Sequence, residues 1–191
     1  MPDSLITKKA LSEAMKELMA AKPLEKIKIS DIVGLCNMNR QSFYYHFKDK
    51  YDLVNWIFFT EFYDTISQSE NLYGWPVLED LCSYLYDNKV FYRNALNITG
   101  QNSFSEYFGE VLKPLIRDHR DHVSESFHDP ESQEFFVTFL TDAIFCSISR
   151  WLQEGAQLSP EEFCRHIKDA LRGIAEQIVK EDGNQSENHT K

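Results

Sequence analysis

The stretch ISDIVGLCNMNRQSFYYHFKDKYDL, Ile29 to Leu53, decides how this chain is read. Its apolar residues recur at three- and four-residue spacings, and good capping residues interrupt them. A short helix is expected from Asp31 to Cys36 with Ser30 as its N-cap, and another starts after Asn39. Between them Asn37-Met38-Asn39 forms a tight turn, with Asn37 standing where a residue tolerant of the left-handed region is needed. Two short helices across such a turn have the proportions of a helix-turn-helix. Ile29, Ile32, Val33, Met38, Phe43 and Phe47 then supply its small core, which leaves Asn39, Arg40, Gln41, Ser42, Tyr44, Tyr45, His46 and Lys48 facing outward.

Those outward types match what DNA requires. Arg40 and Gln41 open the second helix, where such side chains pair with guanine and adenine edges in the major groove. Ser30, Tyr44, His46, Lys48 and Lys50 suit phosphate contacts that set register, and Tyr45 joins Arg40 and Gln41 as a candidate base contact. The competing reading treats the crowded aromatics as ordinary core residues of a helical bundle. Charge favours the first: residues 1–55 hold nine Lys/Arg against seven Asp/Glu, whereas residues 56–191 hold eleven against twenty-three. Only the N-terminal part attracts a polyanion within a chain of net charge −10.

Periodicity is helical almost throughout, so the chain is expected to be all-α. Ile6, Ala10, Ala14, Leu18 and Ala21 form the stripe of a first helix that stops before Pro23. Asp49 and Asp52 resemble a capping box opening a long helix with Leu53, Trp56, Ile57, Phe59, Tyr63 and Ile66. NLYGWP (Asn71 to Pro76) breaks it, and further helices are expected over 77–96, 103–127, 131–155 and 160–180. The starts at Asp129-Pro130 and Ser159-Pro160 follow the rule of a cap followed by proline, and Glu162 completes a box with Ser159. From Glu181 the chain is polar and reads as a flexible tail. The expected division is a DNA-binding domain at 1–55, a helical effector-binding and dimerisation domain at 56–180, and the tail at 181–191.

Cys36, Cys82, Cys146 and Cys164 lack metal-ligand spacing and sit in apolar segments, as expected of a reduced cytoplasmic protein. No signal peptide and no apolar run near the length of a membrane span is apparent, so no membrane partner is expected. RDHRDH (Arg117 to His122) places two histidines one turn apart, but the flanking arginines favour a solvated face over a metal site. No catalytic motif is recognisable, so neither catalytic residues nor a cofactor is assigned and the chain is not read as an enzyme.

The same segment resembles the N-terminal motif of the TetR family of transcription regulators, T-x-x-x-I-A-x-x-A-G-V-S-x-x-[TS]-[FL]-Y-x-H-F-x-x-K-x-x-L. Ser30 is taken as the counterpart of the family's Thr, Asn37 of its turn glycine and Asn39 of its capping Ser. Ser42, Phe43, Tyr44, His46 and Phe47 fall in the recognition helix, and Lys50 and Leu53 at the start of the next. Val33-Gly34, Asn37 and Asn39 depart from the usual residues. The resemblance implies about nine helices, DNA binding by a homodimer joined through the last two long helices, and a palindromic operator. Together with NKVFYRNALNITGQNSF (Asn88 to Phe104), the segment is similar to the TetR subgroup that includes dihydroxyacetone-kinase activators.

Phe135, Phe139, Cys146 and Ser149 on one helix, and Phe163, Ile167, Ala170, Ile174 and Ile178 on the last, carry more apolar surface than a small domain hides. That surplus fits an interface between two subunits. A small-molecule effector would sit among the middle helices, with Trp75, Tyr84, Tyr92, Phe104, Tyr107, Phe108 and Trp151 as candidates because they combine apolar bulk with polar tips. Core packing accounts for the same residues. A second functional reading is a coactivator that keeps the helix-turn-helix shape but docks on a partner regulator. Whether transcription is repressed or activated is not written in these residues.

Overall fold

Helical spacing translates into helices wherever the chain is described: the computed structural model describes residues 2–67, 75–98, 103–119 and 129–188. Among them the order is α1 (Pro2–Ala21), a 3-10 turn (Leu24–Lys26), α2 (Ile29–Leu35), α3 (Arg40–His46), α4 (Lys50–Ser67), α5 (Trp75–Asp87), α6 (Lys89–Leu96), α7 (Phe104–His119), α8 (Pro130–Gln153) and α9 (Pro160–Asn188). Nine α-helices and no strand occur among these residues, an all-α fold. Residues Met1–Gln157 form one compact unit and Leu158–Lys191 a second.

Local chemistry sets most boundaries. Asn39 Oδ1 accepts from Ser42 N at 2.8 Å and starts α3, and Asn37 takes the left-handed turn with φ 53°. Asp49 Oδ1 accepts from Tyr51 N and Asp52 N at 2.8 and 2.9 Å, which starts α4. Asp52 does not close the expected box; its Oδ2 accepts from Lys48 N, one residue further back. Asp129 Oδ1 accepts from Ser132 N at 2.8 Å ahead of Pro130, and Ser159 and Glu162 exchange reciprocal bonds at 3.2 Å.

Several sequence expectations need correction. α2 begins at Ile29 with Lys28 as N-cap, because Asp31 Oδ2 accepts from Lys28 N at 3.1 Å. Counting back from Ile32, the family's Thr position therefore falls on Lys28, and Ser30 lies within the first turn. In α1 the buried side chains are Leu11, Ala14, Met15 and Met19, while Ile6 is 64% exposed. The larger Leu and Met residues gain more by burial than the expected alanine-rich stripe. The single helix expected over 77–96 is two helices, α5 and α6, broken at Asn88, whose side chain donates to Tyr84 O at 2.9 Å. That local bond competes with helix continuation. α9 runs to Asn188 where polarity suggested a flexible tail from Glu181.

α8 also revises the membrane reading, since by length and composition it could cross a bilayer. In this fold one face of it is packed: Val137, Thr141, Ile144, Ile148, Trp151 and Leu152 are buried, and α5, α6 and α7 pack against it. Within the first unit α1 also packs against α2, α3, α4 and α6, so α2 and α3 share that helix with α4 and α6. The aromatic hub of the unit is Phe58, fully buried, with the rings of Phe62, Tyr84, Tyr92, Phe104, Tyr107 and Phe108 at centroid distances of 5.3–6.3 Å. Phe58→Ala is expected to destabilise the protein by about 3–5 kcal/mol, because the surrounding rings cannot all collapse into the gap. Urea unfolding would check this, and a loss near zero would show that Phe58 is not the hub.

Candidate nucleic-acid interface

α3 and its C-cap bury Phe43 and Phe47 and leave Arg40, Gln41, Tyr44 and Tyr45 exposed. Tyr45 is 82% exposed and Tyr44 57%; Asn39, Arg40, Gln41 and Lys48 are exposed too, with Ser30, Ser42 and His46 half-buried. Tyr45 and His46 meet edge to face with ring centroids 4.9 Å apart. Beside them lies a groove of about 360 Å³ lined by Thr7, Met38, Asn39, Gln41, Ser42, Tyr45 and His46. A larger one of about 660 Å³ is lined by Ser4, Leu5, Thr7, Lys8, Tyr45, His46 and Trp56. The beginning of α1 thus borders the α3 face, a juxtaposition that helical periodicity could not anticipate. Lys8 Nζ stands 5.3 Å from the ring centroids of both Phe47 and Trp56, within cation–π range.

Lys50 is used differently from the expected phosphate contact. Its ammonium donates to three carbonyls, Leu24 O at 2.8 Å and Glu25 O and Ile27 O at 3.0 Å. Burial pulls its pKa below the ordinary lysine value, opposed by the charges of Glu25 and Asp49. The side chain is committed to the turn that joins α1 to α2, so only the Lys50 backbone remains for a phosphate. On the same turn Lys22 Nζ pairs with Asp31 Oδ2 at 2.6 Å, and that hydrogen bond, followed by the one from Lys28 N, holds the Asp31 carboxyl below its usual range.

The effector candidates divide into two groups. Tyr84, Tyr92, Phe104 and Phe108 are buried in the Phe58 cluster, with Tyr107 half-buried at its rim. Tyr84 Oη and Tyr92 Oη bond to each other, Tyr84 Oη donates to Glu61 Oε2 at 2.9 Å, and the other Glu61 oxygen pairs with Lys16 of α1. Burial raises the pKa of both phenols, so both stay protonated and polar without charge. Trp151 lies apart, stacked on Tyr86 at 6.0 Å, and Trp75 is half-buried at the start of α5. Glu61, Lys16 and Phe58 went unrecognised in the sequence; the only available signal was a charged residue at helical spacing from buried aromatics. Among the described residues no group of three or more His, Cys, Asp or Glu side chains could hold a metal ion. The side chains of Arg117 to His122 lie outside the described residues.

A helix-turn-helix with an exposed, polar and cationic second helix, carried on a helical body, is the architecture of a DNA-binding transcription regulator. Residues 11–57 match the family of bacterial regulatory proteins named tetR, and residues 75–173 match its companion, a transcriptional regulator C-terminal region. The chain belongs to the TetR family and is a TetR-family transcriptional regulator. It is 30% identical over 155 residues to the HTH-type dhaKLM operon transcriptional activator DhaS of Lactococcus lactis subsp. lactis, covering 78% of this chain and 81% of that protein. A solved structure of a dihydroxyacetone kinase operon activator DhaS superposes with a TM-score of 0.66 at 25% identity, covering 89% of this chain and 96% of that one. NalD of Pseudomonas aeruginosa, described as the secondary repressor of the MexAB-OprM multidrug efflux pump, shares the fold at a TM-score of 0.59 and 18% identity, covering 90% of this chain and 96% of that one. TetR family members bind DNA as dimers.

The two lysines flanking Asp49 should separate in their effects. Lys48→Ala is expected to lower the salt slope of DNA binding by about one unit, because it removes an exposed cation that is a candidate phosphate contact. Lys50→Ala should leave that slope unchanged and cost about 1 kcal/mol or more of stability, since three carbonyls, two of them in part-buried bonds, lose their donor. Salt titrations of DNA affinity alongside urea unfolding would check both, and a slope change at Lys50 would return its side chain to the phosphate set.

Proposed function

We propose that the chain binds a roughly palindromic operator as a homodimer, with α3 of each subunit in the major groove of one half-site. The observation that carries this reading is the division of α3 itself, two phenylalanines buried and Arg40, Gln41, Tyr44 and Tyr45 exposed on one face. In it Arg40, Gln41 and Tyr45 contact bases, while Ser30, Tyr44, His46, Lys48 and the Lys50 backbone contact phosphates, and Asn39 and Ser42 fix the start of the helix. Residues 1–55 act as the reading head and residues 56–180 as the dimerising and effector-responding body. The protein acts in the cytoplasm, where its DNA lies.

Dimerisation through α8 and α9 is supported by apolar side chains left in the open: Phe135 and Phe139, stacked at 6.4 Å, are 72% and 58% exposed, and Ile174 is 56% exposed. An effector enters this reading as a ligand that binds one arrangement of the body better than another and so shifts operator affinity. The aromatic cluster with its Tyr84–Tyr92–Glu61 hydrogen bonds is the candidate site. The alternative of a coactivator acting through a partner regulator is not favoured, because its docking would have no need of a cationic face beside exposed Gln and Tyr.

Selection of bound sequences from a random duplex library tests the reading directly. The wild-type protein should recover inverted half-sites, and Gln41→Ala should relax preference at one base position per half-site at a cost of about 1–3 kcal/mol. Recovery of no sequence by folded protein at low salt would overturn it. Phe139→Glu should turn a dimer into a monomer in sedimentation and weaken operator binding far more than half-site selectivity; an unchanged mass would remove this end of α8 from the interface.

A further inference from the structure

The Leu24–Lys26 turn is gripped from two sides. From the head, Lys50 binds the carbonyls of Leu24, Glu25 and Ile27. From the body, the side chain of Asn94 on α6 accepts from Leu24 N at 2.8 Å and donates to Met19 O at 3.0 Å and Lys22 O at 2.9 Å. The two carbonyls belong to the end of α1, where helix geometry leaves acceptors without partners of their own. Asn94 therefore caps α1 from another helix, more than seventy residues away in sequence. Its amide uses its oxygen and both donor hydrogens in one place, and it is the only α6 side chain described as bonding to α1 or the turn directly.

A second tie runs in parallel from the same short helix. Tyr92, two residues earlier, bonds to Tyr84, Tyr84 to Glu61, and Glu61 to Lys16 of α1. This path passes through α5 and α4, whereas Asn94 reaches α1 without an intermediary. Leu24 itself is 1% exposed, so the turn is also anchored by packing. The sequence Asn94, turn, Lys50 then leads to the residue that starts α4, three positions beyond Phe47, the C-cap of α3.

We infer that Asn94 is a positioning residue that sets the angle of the reading head on its body, and thereby the half-site separation the dimer accepts. In a dimer the two bodies are fixed to each other, so the distance between the two α3 helices depends on how rigidly each head is held to its own body. Three hydrogen bonds from one planar amide resist both rotation and sliding of α1 past α6. Removing them loosens the angle while leaving every candidate base contact in place. The inference rests on the operator reading above.

The test uses the full-length dimer and the best operator recovered by selection, with one or two base pairs inserted or deleted at its centre. For the wild-type protein each one-pair change should cost about tenfold or more in affinity, comparable to a mismatched base pair. Asn94→Ala should reduce that penalty to about threefold or less while keeping the same base preferences within each half-site. Asn94→Asp keeps the size and the acceptor for Leu24 N but loses both donors, so it should fall on the same side as alanine and provides the measurement if alanine fails to fold. Spacing penalties equal to wild type in either folded, dimeric variant would overturn the inference, because a merely structural asparagine would lower stability without altering spacing preference. Failure of the wild-type protein to select any operator would instead overturn the operator reading, and this inference with it.

Discussion

Everything about the reading face depends on the burial of two phenylalanines. α3 is only seven residues long, far below the length at which a helix is stable by itself in water. It exists because Phe43 and Phe47 are almost wholly removed from solvent, Phe43 edge-on to Tyr44 and Phe47 against Trp56 of α4. Asn39 adds the cap that fixes where the helix begins. One face is thus spent on anchoring, and the remaining side chains are free to be chosen for what they touch outside the protein.

The same economy explains why head and body cannot be independent. α2 is also seven residues long, and neither short helix can form a core without α1 laid across both. α1, however, is twenty residues long and exceeds what two short helices can cover. Its remaining surface packs on α4 and α6, with Met15 and Met19 fully enclosed. Whatever holds α1 to the body therefore also holds the head, and the polar contacts at its end are placed where small changes in angle matter most.

The legibility of the sequence follows the range of the interactions. Asn39, Asp129 and the Ser159–Glu162 pair act over three residues, so their capping roles could be read from spacing, as could the left-handed Asn37 and the inward Phe43 and Phe47. The burial of Ile32 and Val33 was legible as well, though Ile29 and Met38 of the same expected core are only half-buried. Interactions between distant residues were not legible. Lys50 looks in sequence like any cation beside a recognition helix, and only the carbonyls brought to it by the Leu24–Lys26 turn give it a different task. Asn94 gives still less warning, since a lone asparagine within VFYRNAL has no partner within reach along its own helix.

The aromatic residues show where chemical type is an incomplete guide. Tyr84 and Tyr92 were singled out because a phenol suits a ligand site, and Phe58 was not singled out at all, yet the three share one cluster. Within it the hydroxyls do not wait unpaired for a ligand: they bond to each other and to Glu61, whose second oxygen is held by Lys16. Glu61 is half-buried beside these rings, and the network supplies its carboxylate with a cation on one side and a phenol on the other. A molecule that displaced the Tyr84 phenol would remove one hydrogen bond from Glu61, the residue that also pairs with Lys16. The candidate effector site proposed above and the tie to α1 are therefore not separate features of this core. The hydrogen bonds that give the cluster its polar character are the same ones that connect it to α1, the helix packed on α2 and α3.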